Sequence, residues 1–246
     1  MSLFLAFLPT LLVTTMLLLA ERWAGAPPAD GWRNVQAWAL QSGVAVGGLQ
    51  VIHSWTGPAL IDARRLPFWA GLLIFFVVKD LGEYLFHRAQ HRIPVLWAMH
   101  SLHHCDPEVT VLTTQRHFWG DQLVKQVTIW SAALMVISPT DAILGSYGII
   151  SLWNLFAHCD VRADLGRWSW VVNCPAFHRR HHSCLPEHFN SNFAAILPIF
   201  DVIFGTYRRP EGFPPTGLPR APANFAELVI WPLIWNRPVA ERVLRV

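Results

Sequence analysis

Eight of the twelve histidines fall into three short motifs: "HRAQH" at 87–91, "HSLHH" at 100–104 and "HRRHH" at 178–182. Neutral imidazole is a good ligand for iron, zinc and copper. Spacings of three and four residues put side chains on one face of a helix. His87 and His91, then His100, His103 and His104, then His178, His181 and His182 thus present two, three and three imidazoles from three helical ends. Eight nitrogens exceed what one tetrahedral or octahedral ion uses, so a dinuclear centre is the economical reading. His158, which closes the apolar "WNLFAH", is a candidate ninth ligand. His188, six residues beyond the last motif, is a candidate ligand or a group standing behind one. His117, beside Arg116, reads as a group behind the ligands or one facing a phosphate, and the isolated His53 reads as packing.

Several chemistries lack their residues. No HExxH occurs, so a zinc hydrolase with a glutamate base has no motif. There is no GxSxG for a serine nucleophile. No GxGxxG follows a predicted strand and no CxxCH is present, which leaves nicotinamide, flavin and c-type haem without a binding sequence. A histidine-rich dimetal centre suits O₂ activation and removal of hydrogen from an unactivated C–H bond, a step that needs a redox metal. Two rivals keep the same ligands: a di-zinc membrane hydrolase, and a metal-binding or transport protein. For transport, ionisable groups should be spread along several spans; here they concentrate at one face.

The elements that must carry these residues are apolar. The chain of 246 residues is 53% hydrophobic and only 14% charged, with mean hydropathy +0.32; soluble domains carry about 25% charged residues. Membrane insertion is therefore the expectation. Residues 2–20 and 34–55 read as spans, the second with a Gly43/Gly47 pair spaced for close helix packing, and "APPADG" at 26–31 reads as the turn between them. A third helix runs from Phe68 towards His91 and changes character at Lys79, Asp80 and Glu83. Residues 121–157, broken by "SPTD", read as a hairpin that spans or enters the bilayer. A Pro-rich surface loop follows at 208–223, and "FAELVIWPLIW" (225–235) reads as an interfacial helix anchored by Trp.

The predicted fold is all-α: multi-pass transmembrane helices with a cytoplasmic helical cap carrying a His-rich dimetal site. It is one membrane domain over 1–246, with N-terminal spans in 1–67, a catalytic region in 68–207, and the loop and C-terminal helix in 208–246. Fourteen of the 19 basic residues lie beyond residue 86, which places the histidine face in the cytoplasm. Arg-rather-than-Lys usage points to a bacterial inner membrane. The four cysteines (Cys105, Cys159, Cys174, Cys184) have no framework spacing and read as reduced, buried side chains. No basic run interleaved with aromatics indicates nucleic acid.

The order HxxxH, HxxHH, HxxHH, with apolar helices before and between, resembles the fatty acid hydroxylase/sterol desaturase superfamily of integral-membrane di-iron oxygenases. "DLGEYLFHRAQHRIPVLWAMHSLHH" (80–104) is similar to the family's first block, and "FHRRHHS…NFAAILPIFDVIFGTY" (177–207) to its closing block. With "TTQRHF" and "WNLFAH", the likeness covers roughly residues 68–207. It implies that the eight motif histidines are metal ligands and that His158 is the family's lone histidine. It also implies two Fe ions, O₂ as co-substrate, a lipid drawn from the bilayer, and electrons from a separate ferredoxin or cytochrome b5-like protein. The outcome would be hydroxylation or desaturation. Asp80 and Glu83 would orient His87 or His91, with simple helix-surface or interhelical pairing the alternative; Asn192 joins His188 and His117 as a further ligand or supporting group. Two departures touch the expected substrate wall: Asn192-Phe193-Ala194 where the family has Asn-Tyr/Phe-Gly, and the extra His188.

Overall fold

The computed structural model describes residues 3–26, 31–55 and 57–235, without the side chains of 3–7 and 46–55. Two long helices come first, α1 (Leu3–Trp23) and α2 (Gly31–Trp55). Helix α1 ends where Gly25 takes a left-handed φ of 81° and the amide of Ala26 returns to Glu21 O. A two-residue strand, β1 (Ile61–Asp62), precedes α3 (Phe68–Gln90), whose start is fixed by Pro67. Only three residues join α3 to α4 (Pro94–His104), and Pro94 occupies the first helical position, where its missing N–H costs nothing.

The next stretch is broken. Helix α5 (Trp119–Lys125) runs through a π-helical turn at Gln126–Trp130 into α6 (Ser131–Val136). Strand β2 (Ile137–Ser138) then pairs parallel with β1, Ile61 opposite Ile137. Thr140 caps α7 (Asp141–Ser151), and α8 (Trp153–His158) follows. Pro175 opens α9 (Pro175–His181), and α10 (Ile199–Ile203), α11 (Phe225–Val229) and α12 (Trp231–Ile234) complete the described residues.

The chain is helical, as expected, but the multi-pass transmembrane architecture is not found: among the described residues no helix is long and apolar enough to cross a membrane. The physical reasons are local. Helix α3 buries Lys79 and Asp80 in its middle, followed by Glu83. The hairpin expected over 121–157 is a helical run with a π turn in its middle (119–136) followed, after β2, by α7, which has 11 residues; at about 1.5 Å per residue α7 reaches roughly half of a ~30 Å hydrocarbon core. Helices α1 and α2 turn polar groups inward. Glu21 accepts the amides of Val111 and Asp160, both at 2.7 Å. Asn34 donates to Asp106 Oδ2 at 3.2 Å, and Gln41 to Gln115 O at 2.7 Å. The rest of the expected inter-helix turn (27–30), the surroundings of Gly47, the side chain of His53, and residues 236–246 lie outside the described residues. Among the described residues Gly43 has no atom within 4 Å of where a Cβ would stand, so no close helix packing is seen there. Gly82 is where a helix does come close, with Ile129 of the π turn 2.8 Å from the position of a Cβ.

Residues 225–235 are two short helices, not one interfacial helix, and their tryptophans are core. Trp231 is fully buried with Trp97, Leu102 and Leu228, and its indole N–H donates to Ser101 Oγ at 2.9 Å. The Pro-rich 208–223 loop is pinned back, with the Cys184 amide on Pro215 O and Gly217 against Pro107. All four cysteines are free, and Cys184 alone is exposed.

Candidate metal centre

The histidines sit on the C-terminal turns of four helices. His87 lies in the last turn of α3 and His91 caps it; His100, His103 and His104 fill the end of α4. His158 ends α8, and His178 and His181 lie on α9 with His182 as its cap. Helix C-termini carry partial negative charge, which favours a cation within about one turn.

Nine imidazoles converge in two groups: His87, His91, His100, His104 and His181 in one, His103, His158, His178 and His182 in the other. Within each group the nitrogens lie within 4.8 Å of one another. Neighbouring Nε2 atoms face each other: His104 stands 3.2 Å from both His100 and His181. In the second group His158 is 3.1 Å from His103 and 2.9 Å from His178, which is 3.2 Å from His182. A metal–nitrogen distance of about 2.0–2.1 Å puts adjacent ligands about 2.9–3.4 Å apart, by octahedral or tetrahedral geometry. The spacings match.

Tautomers agree with this fit. The Nδ1 atoms of His87, His158 and His181 meet the carbonyls of Phe193 (2.7 Å), Asn154 (2.8 Å) and Ser191 (2.9 Å). A carbonyl only accepts, so these Nδ1 atoms carry the proton and their Nε2 lone pairs point into the groups. The Nε2 atoms of His87 and His91 are buried with no hydrogen-bond partner, as an open ligand position requires. Burial, reinforced for most of the nine by neighbouring imidazoles, drives these rings well below the ordinary histidine range, with His158 and His181 at about 4. They are neutral at physiological pH, the form that ligates metal. Each of the two groups could hold one metal ion.

The other candidates stand elsewhere. His117 stacks on His103, ring centroids 4.3 Å apart, and groups with His100 and Asp121. His188 hydrogen-bonds Ser183 Oγ at 2.9 Å and belongs to neither group of imidazoles. Asp80 turns to the backbone: it accepts the amides of Ile196 (3.1 Å) and Leu197 (2.9 Å), and burial raises its carboxyl to about 7. Burial would also raise Glu83, but Lys125 at 3.1 Å and Lys79 at 3.3 Å outweigh it and hold it at about 2. Asn192, at a left-handed φ of 60°, clamps the closing segment by donating to Arg208 O and accepting from Arg208 N. Ala194 packs with Cys174, Ala176 and Phe177. Arg179 is held by Asp160 at 2.7 Å.

Sequence reasoning missed Asp201. Its carboxylate, fully buried, accepts the amides of Phe193 and Ala194, each at 2.8 Å, and the Thr206 hydroxyl at 2.6 Å. It thereby fixes the Phe193 carbonyl that holds His87. The signal was a lone acid in the apolar run "LPIFDVIFG".

A cavity of about 440 Å³ opens onto five of the nine rings: His87, His100, His103, His158 and His178. Such a volume is typical of small-molecule sites.

The fatty acid hydroxylase family profile matches residues 72–206, more than half of the chain and the whole of both histidine groups. The chain is 28% identical to an alkylglycerol monooxygenase of Xenopus tropicalis over 198 residues, covering 78% of this chain and 44% of that protein. It is 30% identical to the Danio rerio alkylglycerol monooxygenase over 190 residues (76% and 42%). With the ornithine lipid hydroxylase OlsE of Rhizobium tropici it shares 28% over 139 residues (56% and 42%). The chain thus spans less than half the length of these relatives. No solved structure matches it. The profile and the histidine order that it encloses place this chain in the fatty acid hydroxylase family.

Proposed function

We propose that the protein is a di-iron oxygenase that hydroxylates or desaturates an unactivated C–H position of a lipid, with electrons from a separate ferredoxin or cytochrome b5-like chain. The observation that carries this reading is the pair of imidazole groups, five and four, opening on one cavity. Family membership and the names of the relatives, a monooxygenase of alkylglycerols and a hydroxylase of ornithine lipids, support it. His87, His91, His100, His104 and His181 would hold one ion, and His103, His158, His178 and His182 the other. Bound iron would supply the redox chemistry that no side chain provides. For hydroxylation the balance is R–H + O₂ + two electrons + two protons giving R–OH + H₂O.

The chain's own residues position and exclude. Asn154, Ser191 and Phe193 hold three rings through their carbonyls. Asp80 and Asp201 tie the segment 193–197 across the back of the site. Work at a lipid surface is supported by exposed apolar side chains, among them Leu12, Met16 and Leu19 of α1, and Trp69 and Leu73 of α3.

The test uses iron-loaded protein with a reduced ferredoxin, a bacterial lipid extract and isotopically labelled O₂. The reading expects a lipid product carrying one labelled oxygen atom or a new double bond, lost when O₂ is withheld. Turnover that persists without O₂, or with zinc in place of iron, would refute it and favour a hydrolase.

A further inference from the structure

Packed rings connect the five-histidine group to one patch of surface. Phe193 is fully buried, its ring centroid 5.2 Å from that of His91 and 5.6 Å from those of His87 and His181. Tyr84, also fully buried, lies 6.3 Å from Phe193, and Phe204 stacks on Tyr84 at 5.2 Å with the two planes 17° apart. Phe204 is 42% exposed. None of these three rings belongs to the wall of the cavity, so this route to the imidazoles is separate from it.

The surface around Phe204 is apolar and basic. Its neighbour Ile203 is exposed, as is Leu85, which precedes Arg88 by one turn of α3. The Arg88 guanidinium stands 6.0 Å from the Phe204 ring and donates to the Tyr84 hydroxyl at 3.3 Å. Arg208 donates to Gly205 O at 3.3 Å, which holds its charge next to Phe204, and the exposed Arg209 follows. Among the described residues no carboxylate lies within ion-pair distance of these three arginines. The exposed acids Glu187 and Glu211 answer Arg180, which stands near Arg208. An aromatic ring among such cations suits a partner of opposite charge. Redox encounters between proteins are small and weak, so a patch of this size suffices. Electron transfer falls steeply with separation, and contiguous rings close the gaps between surface and site. A lipid headgroup on the same arginines would have no use for that path.

Resting on the oxygenase reading above, we propose that this face docks an acidic one-electron carrier protein, and that electrons enter the five-histidine group along Phe204, Tyr84 and Phe193. Each encounter oxidises the carrier by one electron and reduces the metal pair by one. Two encounters supply the two electrons of the hydroxylation balance. The rings serve as packed medium and keep their own oxidation state. Carrier and substrate thus reach the centre by separate approaches.

Anaerobic stopped-flow mixing of oxidised, iron-loaded protein with a reduced, acidic [2Fe–2S] ferredoxin tests this, followed by the visible absorption of the ferredoxin. Arg208→Glu/Arg209→Glu should slow the second-order reduction at least about tenfold at low salt, the scale of lost steering. The gap should close in about 1 M salt, where the Debye length is about 3 Å. Arg64→Glu/Arg65→Glu, the same charge change roughly 30 Å away at the other end of α3, should leave the rate near wild type. Tyr84→Leu, behind the docking face, should lower the rate at saturating ferredoxin and leave the ferredoxin affinity of zinc-loaded protein unchanged. Phe204→Leu, at an exposed position that tolerates change, should lower the saturating rate as well. Rates that ignore both salt and the Arg208/Arg209 pair overturn the docking face, and saturating rates unchanged in both ring variants overturn the route. If the same pair loses binding to phosphatidylglycerol vesicles with ferredoxin rates unchanged, the face belongs to a lipid surface and the carrier is overturned. Reduced methyl viologen, which needs no docking, separates the two readings. Protein that it cannot reduce overturns the oxygenase reading and this inference with it; reduction by methyl viologen but not by ferredoxin overturns this inference alone.

Discussion

Asp201→Asn is the substitution that most sharply tests how the site is held. The carboxylate serves three donors: Phe193 N, Ala194 N and Thr206 Oγ1. The Tyr84 hydroxyl meets the same Thr206 oxygen at 2.9 Å, and His87 Nδ1 rests on Phe193 O, so one buried chain links α10 to the ligands. Asparagine keeps one acceptor oxygen and turns an NH₂ towards the remaining backbone N–H. That leaves a buried donor facing a donor, at a cost of about 1–3 kcal/mol. In a chain of this size it corresponds to a Tm loss of roughly 2–12 °C. The Phe193 carbonyl should shift with its amide. Loss of an outer hydrogen bond to a ligating histidine typically weakens metal binding about 10–100-fold, and the loss should fall on the five-histidine group. Thermal unfolding and cobalt titration followed by visible absorption measure both effects. A variant that melts with wild type and binds both ions equally well would refute the argument.

Three further outcomes follow from the same geometry. Metal-free protein should lose stability as pH falls from 6.5 to about 4, because His158 and His181 have folded values of about 4 against 6.5 unfolded. In that window the unfolded chain takes protons that the folded chain refuses, so stability is fully present above the window and lost through it, by up to about 1.4 kcal/mol per pH unit for each ring. A urea midpoint that stays flat across this range in chelator would contradict it. Glu83→Gln should destabilise by about 3–5 kcal/mol in urea unfolding, since it leaves the fully buried Lys79 unpaired; an unchanged midpoint would show that the Trp130 face suffices. Trp231→Ala should cost about 3–5 kcal/mol as a core deletion, while Leu233→Ala, 84% exposed, should stay within about 0.5 kcal/mol; equal effects would restore the interfacial reading of this segment.

The ligand pattern was legible because helical spacing alone puts His100, His103 and His104, or His178, His181 and His182, on one face. The pairing of rings into two groups was not, since it depends on where α8 and α9 meet α4. Asp80 and Glu83 were visible as acids near a histidine motif, yet their partners are the amides of 196–197 and two lysines. The Asp80 contacts reach more than a hundred positions along the chain and the Glu83–Lys125 pair reaches another helix, which no local pattern encodes, whereas Glu83–Lys79 is an i,i+4 pair on α3 that the spacing allows. The second membrane span misled because hydropathy counts apolar residues without saying that Asn34 and Gln41 face polar partners in the fold. The Trp-rich C-terminal segment failed in the same way: Trp231 and Trp235 face the protein core.

Metal content per chain tests the central claim most directly. Protein purified from iron-supplemented cells should hold about two irons, the count that two separate histidine groups require. His104→Ala/His181→Ala and His178→Ala/His182→Ala should each hold about one. Well-folded wild type with no bound metal, or double variants that keep the full complement, would contradict the account.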